Sequence, residues 1–346
     1  MSMGKRVARL NPTISGRVNR HLVERAIPIV KRAVYSIDEP WKYSKRGRHP
    51  TYTSQVLVCL LVLGAILNLG YNEMESVLNG LSAIKEVFGP QLPSHSTYHR
   101  AANRLSMGYI NVLNKALVES HAVTKRAILL VDSTGFRLKK SSTWFDIRIK
   151  RKSRRKDHLK LHIMVSHKLG LIYSFAVTKA YSNDSPIFHR LIAGLSLKYF
   201  ILCGDSGYLS RINCKLVGKK NGLAFFSLKK NTTAKGMGVK EWYEMVMLFR
   251  KMPWGFLLVY HLRSYVESTI GAIKQRFGHQ IYSRKGFMQK RELGLKVVAH
   301  NVKQLLYIQE SESSNLPLWV YEDPIKGAAK QNISDAFIEY CFTRNH

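Results

Sequence analysis

The pattern of apolar residues changes near residue 120, and this change restricts the folds open to the chain. Beyond it, apolar residues cluster in short runs bounded by glycine, serine and other turn formers, which is typical of buried β-strands. Five such runs predict five strands, at 127–131, 158–166, 170–178, 199–203 and 222–228. Helices are predicted between and after them, at 185–195, 262–277 and 289–309. The sequence therefore predicts an α/β fold in which helices flank a mixed five-stranded sheet.

The net charge of the chain indicates which kind of partner it binds. The 346 residues include 55 Lys and Arg against 22 Asp and Glu, a formal net charge of +33. Such an excess repels itself in a compact fold and favours a polyanion, because each neutralised phosphate releases a counterion. DNA or RNA is the expected partner, an anionic membrane surface is the second, and a merely basic protein is the bland alternative. The densest basic run is expected to bind phosphates, unless it is only a solvated hairpin: Lys150, Arg151, Lys152, Arg154, Arg155 and Lys156.

The part of the chain before residue 120 favours helices. Residues 1 to about 50 are basic and predicted to be irregular, whereas residues 53–106 predict short helices. The last of these helices carries Arg100 and Arg104, and such an arrangement resembles a helix-turn-helix unit whose final helix enters a DNA major groove. A purely structural helical bundle gives the same pattern. We expect a small all-helical N-terminal region over 1–115, an α/β domain over 120–310 and a C-terminal tail over 311–346.

Other classes of protein are not indicated. The longest apolar run, 56–69, contains Gly64 and Asn68 and is shorter than the roughly 18 to 20 residues that span a bilayer. The N-terminus lacks the apolar core of a secretory signal, and the four cysteines form no C-x-x-C pair. We therefore expect a cytoplasmic protein with no membrane segment and no disulfide framework. No G-x-x-x-x-G-K-[ST] motif is present, so nucleotide use is not expected.

Two aspartates stand in the same local setting. Asp132 follows the run AILLV and precedes Ser-Thr-Gly, and Asp205 follows YFILCG and precedes Ser-Gly. The end of a strand is where an open α/β sheet places its ligand groups. Both aspartates could simply form Asx turns there. Their matching positions in a protein with a polyanionic partner instead favour a pair of metal ligands, because Mg²⁺ prefers carboxylate and phosphate oxygens.

A third acid stands in a spaced motif. The segment YHLRSYVESTIGAIKQRFG holds Tyr260, Arg263, Glu267 and Lys274 in the spacing Y-x2-R-x3-E-x6-K. This motif resembles the signature around the third acid of prokaryotic insertion-sequence transposases with a DDE catalytic triad. The segments LVDSTGFR and ILCGDSGY are similar to the strands that carry the family's two aspartates. The segment from 160 to 185 is similar to its Lys-x-His hairpin, which closes with an Asp-Ser pair at Asp184 and Ser185.

The resemblance covers about 120–305 and implies both a fold and an activity. It implies an RNase H-like catalytic domain in which Asp132, Asp205 and Glu267 hold two Mg²⁺ or Mn²⁺ ions. It implies cleavage of double-stranded DNA at the ends of an insertion sequence and strand transfer into target DNA, by a homodimer that brings two ends together. Two alternatives remain: an RNase H-fold nuclease without strand transfer, and a non-catalytic DNA-binding protein derived from a transposase.

Helix geometry predicts how the motif is arranged. At about 100° per residue, Tyr260, Arg263, Glu267 and Lys274 fall on one narrow strip. An apolar stripe lies directly beside that strip and is expected to pack on the sheet: Val266, Ile270, Ile273 and Phe277. The polar strip would then face Asp132 and Asp205, with Arg263, Lys274 and Tyr260 placed to contact DNA. The bland alternative is an exposed ion pair between Arg263 and Glu267.

Overall fold

The structure, a computed structural model, describes residues 8–43, 49–121, 126–139, 158–197, 199–321, 336–341 and 343. Helices make up most of the described chain before residue 120. They are α1 (Pro12–Arg20), α2 (Leu22–Tyr35), α3 (Ser54–Ile66), α4 (Tyr71–Gly80), α5 (Ser82–Phe88), α6 (His95–Arg104) and α7 (Met107–Glu119). A short strand, β1 (Ala8–Leu10), precedes them.

Strands begin near residue 126 and alternate with helices further along the chain. The strands of the main sheet are β2 (Arg126–Leu138), β3 (His158–Ser166), β4 (Ile172–Lys179), β5 (Tyr199–Gly204), β6 (Gly222–Phe226) and the two-residue β7 (Gln280–Ile281). The helices are α8 (Asp184–Ala193), α9 (Arg211–Gly218), α10 (Lys240–Lys251), α11 (Pro253–Tyr260), α12 (Ser264–Phe277) and α13 (Gly286–Ser314). A last strand, β8, spans Trp319–Tyr321.

The main sheet is mixed. Its order is β4-β3-β2-β5-β6; β3 is antiparallel to β2 and β4, and β5 is parallel to β2 and β6. All five predicted strands are present, and β7 adds a sixth by pairing with the far end of β2. The central strands β2 and β5 carry consecutive fully buried residues, such as Leu129, Leu130 and Leu202. Continuous apolar runs of this kind mark strands that are covered on both faces.

Helix α13 joins the two parts of the molecule. It packs on α3 and α7 of the N-terminal helices and on β4 of the sheet. Its middle is buried on every side, including the polar residue Asn301, which donates to the carbonyl oxygen of Ile172 and to the side-chain oxygen of Asn114 at 2.8 Å each. The helical region and the sheet therefore contribute to one continuous core among the described residues. The domain boundaries proposed from sequence stay a prediction.

The N-terminal fifty residues are not irregular as predicted, because they contain α1 and α2. Asn11 caps α1 by accepting a hydrogen bond from the Thr13 amide, and Pro12 occupies the first helical position, where no amide donor is needed. Helix α2 buries Ala26, Val30 and other apolar residues against the core. The basic residues between these positions lie mainly on the outer side and mask the helical period in the sequence.

The start of the predicted tail is also part of the fold. Helix α13 runs on to Ser314, and β8 pairs with β1 antiparallel, with Arg9 opposite Val320. The Asn11 side chain donates to the carbonyl oxygen of Pro317 at 3.0 Å. Residues 311–321 therefore hold the first strand and first helix in place. In the described part of the chain no single helix is long and apolar enough to cross a membrane; α3 and α4, bent by 97°, meet that test of length and composition only as a pair.

Candidate active site

Asp132 and Asp205 lie side by side, but only Asp205 follows the end of its strand as predicted, because β2 continues to Leu138 and Asp132 lies within it. In the parallel pair β2 and β5, Val131 is opposite Gly204, so the next residue on each strand is an aspartate. Gly204 is required by the packing, since a Cβ atom there would stand 2.7 Å from a Val131 methyl group and 2.8 Å from the Phe226 ring. Side-by-side placement follows from strand register alone, and it brings two carboxylates to one edge of the sheet.

A backbone amide orients each carboxylate. The Ser133 amide donates to Asp132 Oδ1 at 2.8 Å, and the Ser206 amide donates to Asp205 Oδ1 at 2.7 Å. Each of these bonds comes from the very next residue, so neither is the bond to the residue two positions on that defines an Asx turn. They use one oxygen of each carboxylate and do not exclude a further ligand on the other oxygen.

The motif helix brings a guanidinium and a third carboxylate to this edge. Arg263, in a 3₁₀ turn between α11 and α12, donates from Nη1 to Asp132 Oδ2 at 2.8 Å. Its Nη2 lies 3.7 Å from Glu267 Oε1 in the first turn of α12. The Glu267 side chain is 57% exposed, whereas Asp132 and Arg263 are 19% and 20% exposed. Arg263 therefore bridges the buried aspartate and the more exposed glutamate.

The charges of the three acids act on one another. Burial raises the pKa of Asp132, the Ser133 amide and Arg263 oppose this rise, and the charges of Asp205 and Glu267 add to it. Burial acts to lower the pKa of Arg263, but the negative charges of Asp132, Asp205 and Glu267 raise it overall. Burial is the main cause of the rise in the pKa of Asp132 and outweighs the lowering by Arg263, so a bound cation would favour the ionised form of Asp132.

Lys274 reaches the same strand further along. Its Nζ donates to Thr134 Oγ1 at 2.7 Å and lies 5.5 Å from the centre of the Phe136 ring. As the helix geometry predicts, Val266, Ile273 and Phe277 are buried and Ile270 is half-buried. The polar strip of the motif thus faces β2, although the helical path is interrupted by the 3₁₀ turn after Tyr260.

Among the other residues singled out from sequence, Tyr260 lies near enough to Arg263 to contribute to raising its pKa. Tyr260 is half-buried at the end of α11, with its ring centre 5.6 Å from that of His261. Arg100 and Arg104 lie exposed on α6, the predicted recognition helix, which buries Tyr98, Ala101 and Ala102 on its other side. The basic run Lys150, Arg151, Lys152, Arg154, Arg155 and Lys156 lies outside the described residues.

Asp132, Asp205 and Glu267 offer carboxylate oxygens, which suit Mg²⁺ or Mn²⁺ and not a softer metal. Among the residues that the structure describes, no group of three His, Cys, Asp or Glu side chains is placed to hold an ion. Arg263 contacts the Oδ2 atom of Asp132. A metal at these acids is therefore a proposal that rests on their donor chemistry.

A second polar cluster lies directly behind this edge. Asp184, at the start of α8, contacts Lys160 and His162 of β3 and the Ser133 hydroxyl of β2. The resemblance drew attention to Lys160, His162 and Asp184 without assigning them a role. Sequence spacing gives no sign that Ser133 joins them, because the contact links residues 51 positions apart.

Comparison with known proteins places the chain in a family. The family described as "Transposase DDE domain" matches residues 124–302, more than half of the chain, and the chain belongs to it. No protein of curated function matches. The chain is similar to a solved structure described as "Cryo-EM structure of piggyBac transposase synaptic complex with hairpin DNA" at 9% identity, over 97% of this chain and 84% of that one, with a TM-score of 0.39. A likeness at that level carries no argument about this protein.

Proposed function

We propose that the protein is the transposase of a prokaryotic insertion sequence and that it cuts and joins DNA with Asp132, Asp205 and Glu267. The single observation that carries the proposal is that Arg263 contacts Asp132 and Glu267 while Asp205 stands beside Asp132 on the neighbouring strand, inside the segment that matches the DDE transposase domain. The sheet order, with two antiparallel strands on one side of β2 and two parallel strands on the other, supports an RNase H-like catalytic fold.

Asp132, Asp205 and Glu267 would hold two Mg²⁺ or Mn²⁺ ions. Bound there, such ions would stabilise the attacking and leaving oxygens of an in-line displacement at phosphorus. The residues of the chain prepare this arrangement: the Ser133 and Ser206 amides orient the two aspartates, and Arg263 offsets part of their charge. Hydrolysis of a phosphodiester at the element end would leave a 3′-hydroxyl. That hydroxyl would then displace a phosphodiester oxygen of target DNA.

Several basic residues would position the DNA. Lys274 lies against β2 in the last turn of α12 and is suited to a phosphate as a point charge. Arg263 would move from Asp132 to a phosphate when cations reach the acids. The exposed Arg100 and Arg104 of α6 would contact DNA from the helical region, and the basic run at 150–156 would add phosphate contacts. Synapsis of two ends would require a homodimer.

A cleavage and joining assay tests the proposal. The substrate is a supercoiled plasmid that carries the coding region with its native flanking DNA, incubated with MgCl₂, MnCl₂ or EDTA. We expect metal-dependent breaks at the flanking ends and insertion of those ends into a second plasmid. Cleavage without joining would favour the nuclease alternative. Binding to the flanking DNA with no cleavage under either metal would favour a non-catalytic DNA-binding protein.

A further inference from the structure

The carboxylate of Asp184 is held by three side chains from two strands. Lys160 Nζ lies 2.7 Å from Asp184 Oδ1, His162 Nδ1 lies 3.3 Å from it, and Ser133 Oγ donates to it at 3.1 Å. We call Asp184, Lys160, His162 and Ser133 the Asp184 anchor. His162 is wholly buried, and its Nε2 contacts Thr178 Oγ1 at 2.9 Å. The anchor thus ties the start of α8 to β2 and β3.

The second oxygen of Asp184 faces the turn that follows Asp205. A Cβ atom at Gly207 would lie 3.2 Å from Asp184 Oδ2, so glycine leaves the room that this oxygen occupies. Burial acts to raise the pKa of Asp184, but the contacts from His162 and Lys160 outweigh it and lower that pKa to about 2. Asp184 is therefore an ionised carboxylate at neutral pH, fixed between Ser133 of β2 and the turn that follows Asp205.

The anchor reaches Asp132 through Ser133. The Ser133 hydroxyl is bound to Asp184, and the amide of the same residue orients the Asp132 carboxylate. Ser133 therefore connects the Asp184 carboxylate to the Asp132 carboxylate by two hydrogen bonds. Because Asp184 itself does not contact Asp132, any effect of Asp184 on the acid is indirect.

The anchor reaches Asp205 through Tyr208. The Tyr208 hydroxyl lies 3.2 Å from His162 Nδ1, and the Tyr208 amide donates to the carbonyl oxygen of Asp205 at 2.9 Å. On the other side of the turn, the Asn213 side chain donates to the carbonyl oxygen of Tyr208 at 2.7 Å and to Ser185 Oγ at 3.1 Å. The turn that carries Asp205 is therefore fixed to the residue next to Asp184.

We propose that Asp184 is a positioning residue that sets the separation and orientation of the Asp132 and Asp205 carboxylates, through Ser133 on one side and Tyr208 on the other. This inference rests on the proposed function, since it assigns the acids to metal binding. A positioning role differs from that of a structural ion pair in what it predicts. Asp184 should affect the affinity of Asp132 and Asp205 for divalent ions, and with it the rate of cleavage.

The test compares Asp184→Asn with wild type in the full-length protein. The measurements are the cleavage rate, the MnCl₂ concentration at half the maximal rate, the rise in melting temperature caused by MnCl₂, and affinity for the flanking DNA. We expect the rate to fall and the half-saturating MnCl₂ concentration to rise, each by about 10- to 100-fold, as is usual when residues that orient metal ligands are changed. DNA affinity is expected to stay within about twofold, because Asp184 is behind the acids and not on the DNA side.

Glu310→Gln is the matched control. Glu310 is another largely covered carboxylate, contacted by Arg25 at 2.8 Å and Arg17 at 3.3 Å, but it lies at the end of α13. This variant is expected to lower the melting temperature without changing the rate or the response to MnCl₂. If Asp184→Asn behaves in the same way as Glu310→Gln, Asp184 is a structural residue and the inference is wrong.

Ser133→Ala isolates the link to Asp132 and also serves if Asp184→Asn does not fold. It is expected to reduce the rate and the MnCl₂ response in the same direction, and the double variant to be no worse than Asp184→Asn alone. An unchanged MnCl₂ response in Ser133→Ala would overturn the inference. If wild type neither cuts DNA nor gains stability from MnCl₂, the proposed function fails first, and the inference fails with it.

Discussion

In two neighbouring regions of the molecule, the surroundings shift the pKa of a carboxylate in opposite directions. Beside the end of β5, Asp132 of β2 shares one guanidinium with Glu267 of α12, and the combined effects of burial and neighbouring acids raise the pKa of Asp132. In the Asp184 anchor, one carboxylate receives contacts from a lysine, a histidine and a hydroxyl, and its pKa falls to about 2. The two acids are joined through a single residue, Ser133.

The difference agrees with the roles proposed for the two acids. Asp184 already receives a lysine, a histidine and a hydroxyl on one oxygen, so it is suited to hold those groups in place. A carboxylate that lacks positive charge is costly in the protein alone and gains most when a cation arrives. In a very basic protein, the presence of acidic residues in a polar cluster thus says little about its role. The amount of positive charge in contact with those acids says more.

The largest expected effect comes from neutralising Asp132, Asp205 or Glu267. Asp132→Asn, Asp205→Asn and Glu267→Gln should each lower the cleavage rate by about 10³-fold or more, because each removes a charge that would hold the ions. Affinity for DNA should be unchanged or slightly higher, since a negative charge is lost. Single-turnover cleavage with MnCl₂ and filter binding measure the two quantities. A variant that cuts at the wild-type rate would remove its residue from the triad.

Arg263→Gln tests the same comparison by removing the positive charge next to Asp132. In EDTA it removes the positive charge that bridges Asp132 and Glu267, and a loss of about 2 kcal/mol in the free energy of unfolding is expected. MnCl₂ should then stabilise this variant more than it stabilises wild type. Urea unfolding in EDTA and in MnCl₂ measures both effects. Arg291→Gln is the control, because Arg291 contacts the backbone oxygens of Ala102 and Asn103 and no acid; a gain from MnCl₂ equal in all three proteins would contradict the account.

Acid should weaken the Asp184 anchor. The pKa of Asp184 is lowered from its ordinary 3.8 to about 2 on folding, so the ionised form stabilises the native state. That contribution, about 2 kcal/mol, is complete above pH 4 and is lost as the pH falls through about 2. The free energy of unfolding of wild type relative to Asp184→Asn, measured by urea from pH 6 downward, should therefore shrink on acidification. A difference that grows at low pH would show that the sign is wrong.

Lys274→Met should have the smallest effect. The substitution removes the contact with Thr134 and one proposed phosphate contact, while it keeps much of the side chain's apolar length. The slope of log affinity for DNA against log salt concentration should fall by about one, with a modest loss of affinity at low salt. Titrations at several salt concentrations measure it. An unchanged slope would place Lys274 in the fold and not on DNA.

Much of the sheet could be predicted because its strands are short apolar runs with clear ends. The limits of β3, His158–Ser166, agree with those predicted, but β2 continues to Leu138 beyond its predicted end at residue 131, so only Asp205 follows the end of its strand. Helices α9, α10 and α11 are not predicted, since they are short or moderately amphipathic. Helices α1 and α2 were missed because basic residues dominate their exposed faces.

Part of the site was beyond sequence reasoning for a different reason. Helical spacing correctly predicts that Arg263 and Lys274 face β2, but it does not predict which group each one contacts. Arg263 is bound to Asp132 across 131 positions, and Lys274 to Thr134 across 140. Such pairings depend on how the helix is set on the sheet. The same is true of Asp184, whose partners come from two strands.

Crystals of the protein grown or soaked with MnCl₂ test the central claim most directly. Anomalous scattering locates manganese without reference to activity or to the identity of the DNA ends. The account predicts manganese bound to carboxylate oxygens of Asp132, Asp205 and Glu267, at roughly 2.0 to 2.3 Å, with Arg263 displaced from Asp132. Manganese bound only elsewhere, with the Arg263–Asp132 contact of 2.8 Å intact at saturating MnCl₂, would contradict it.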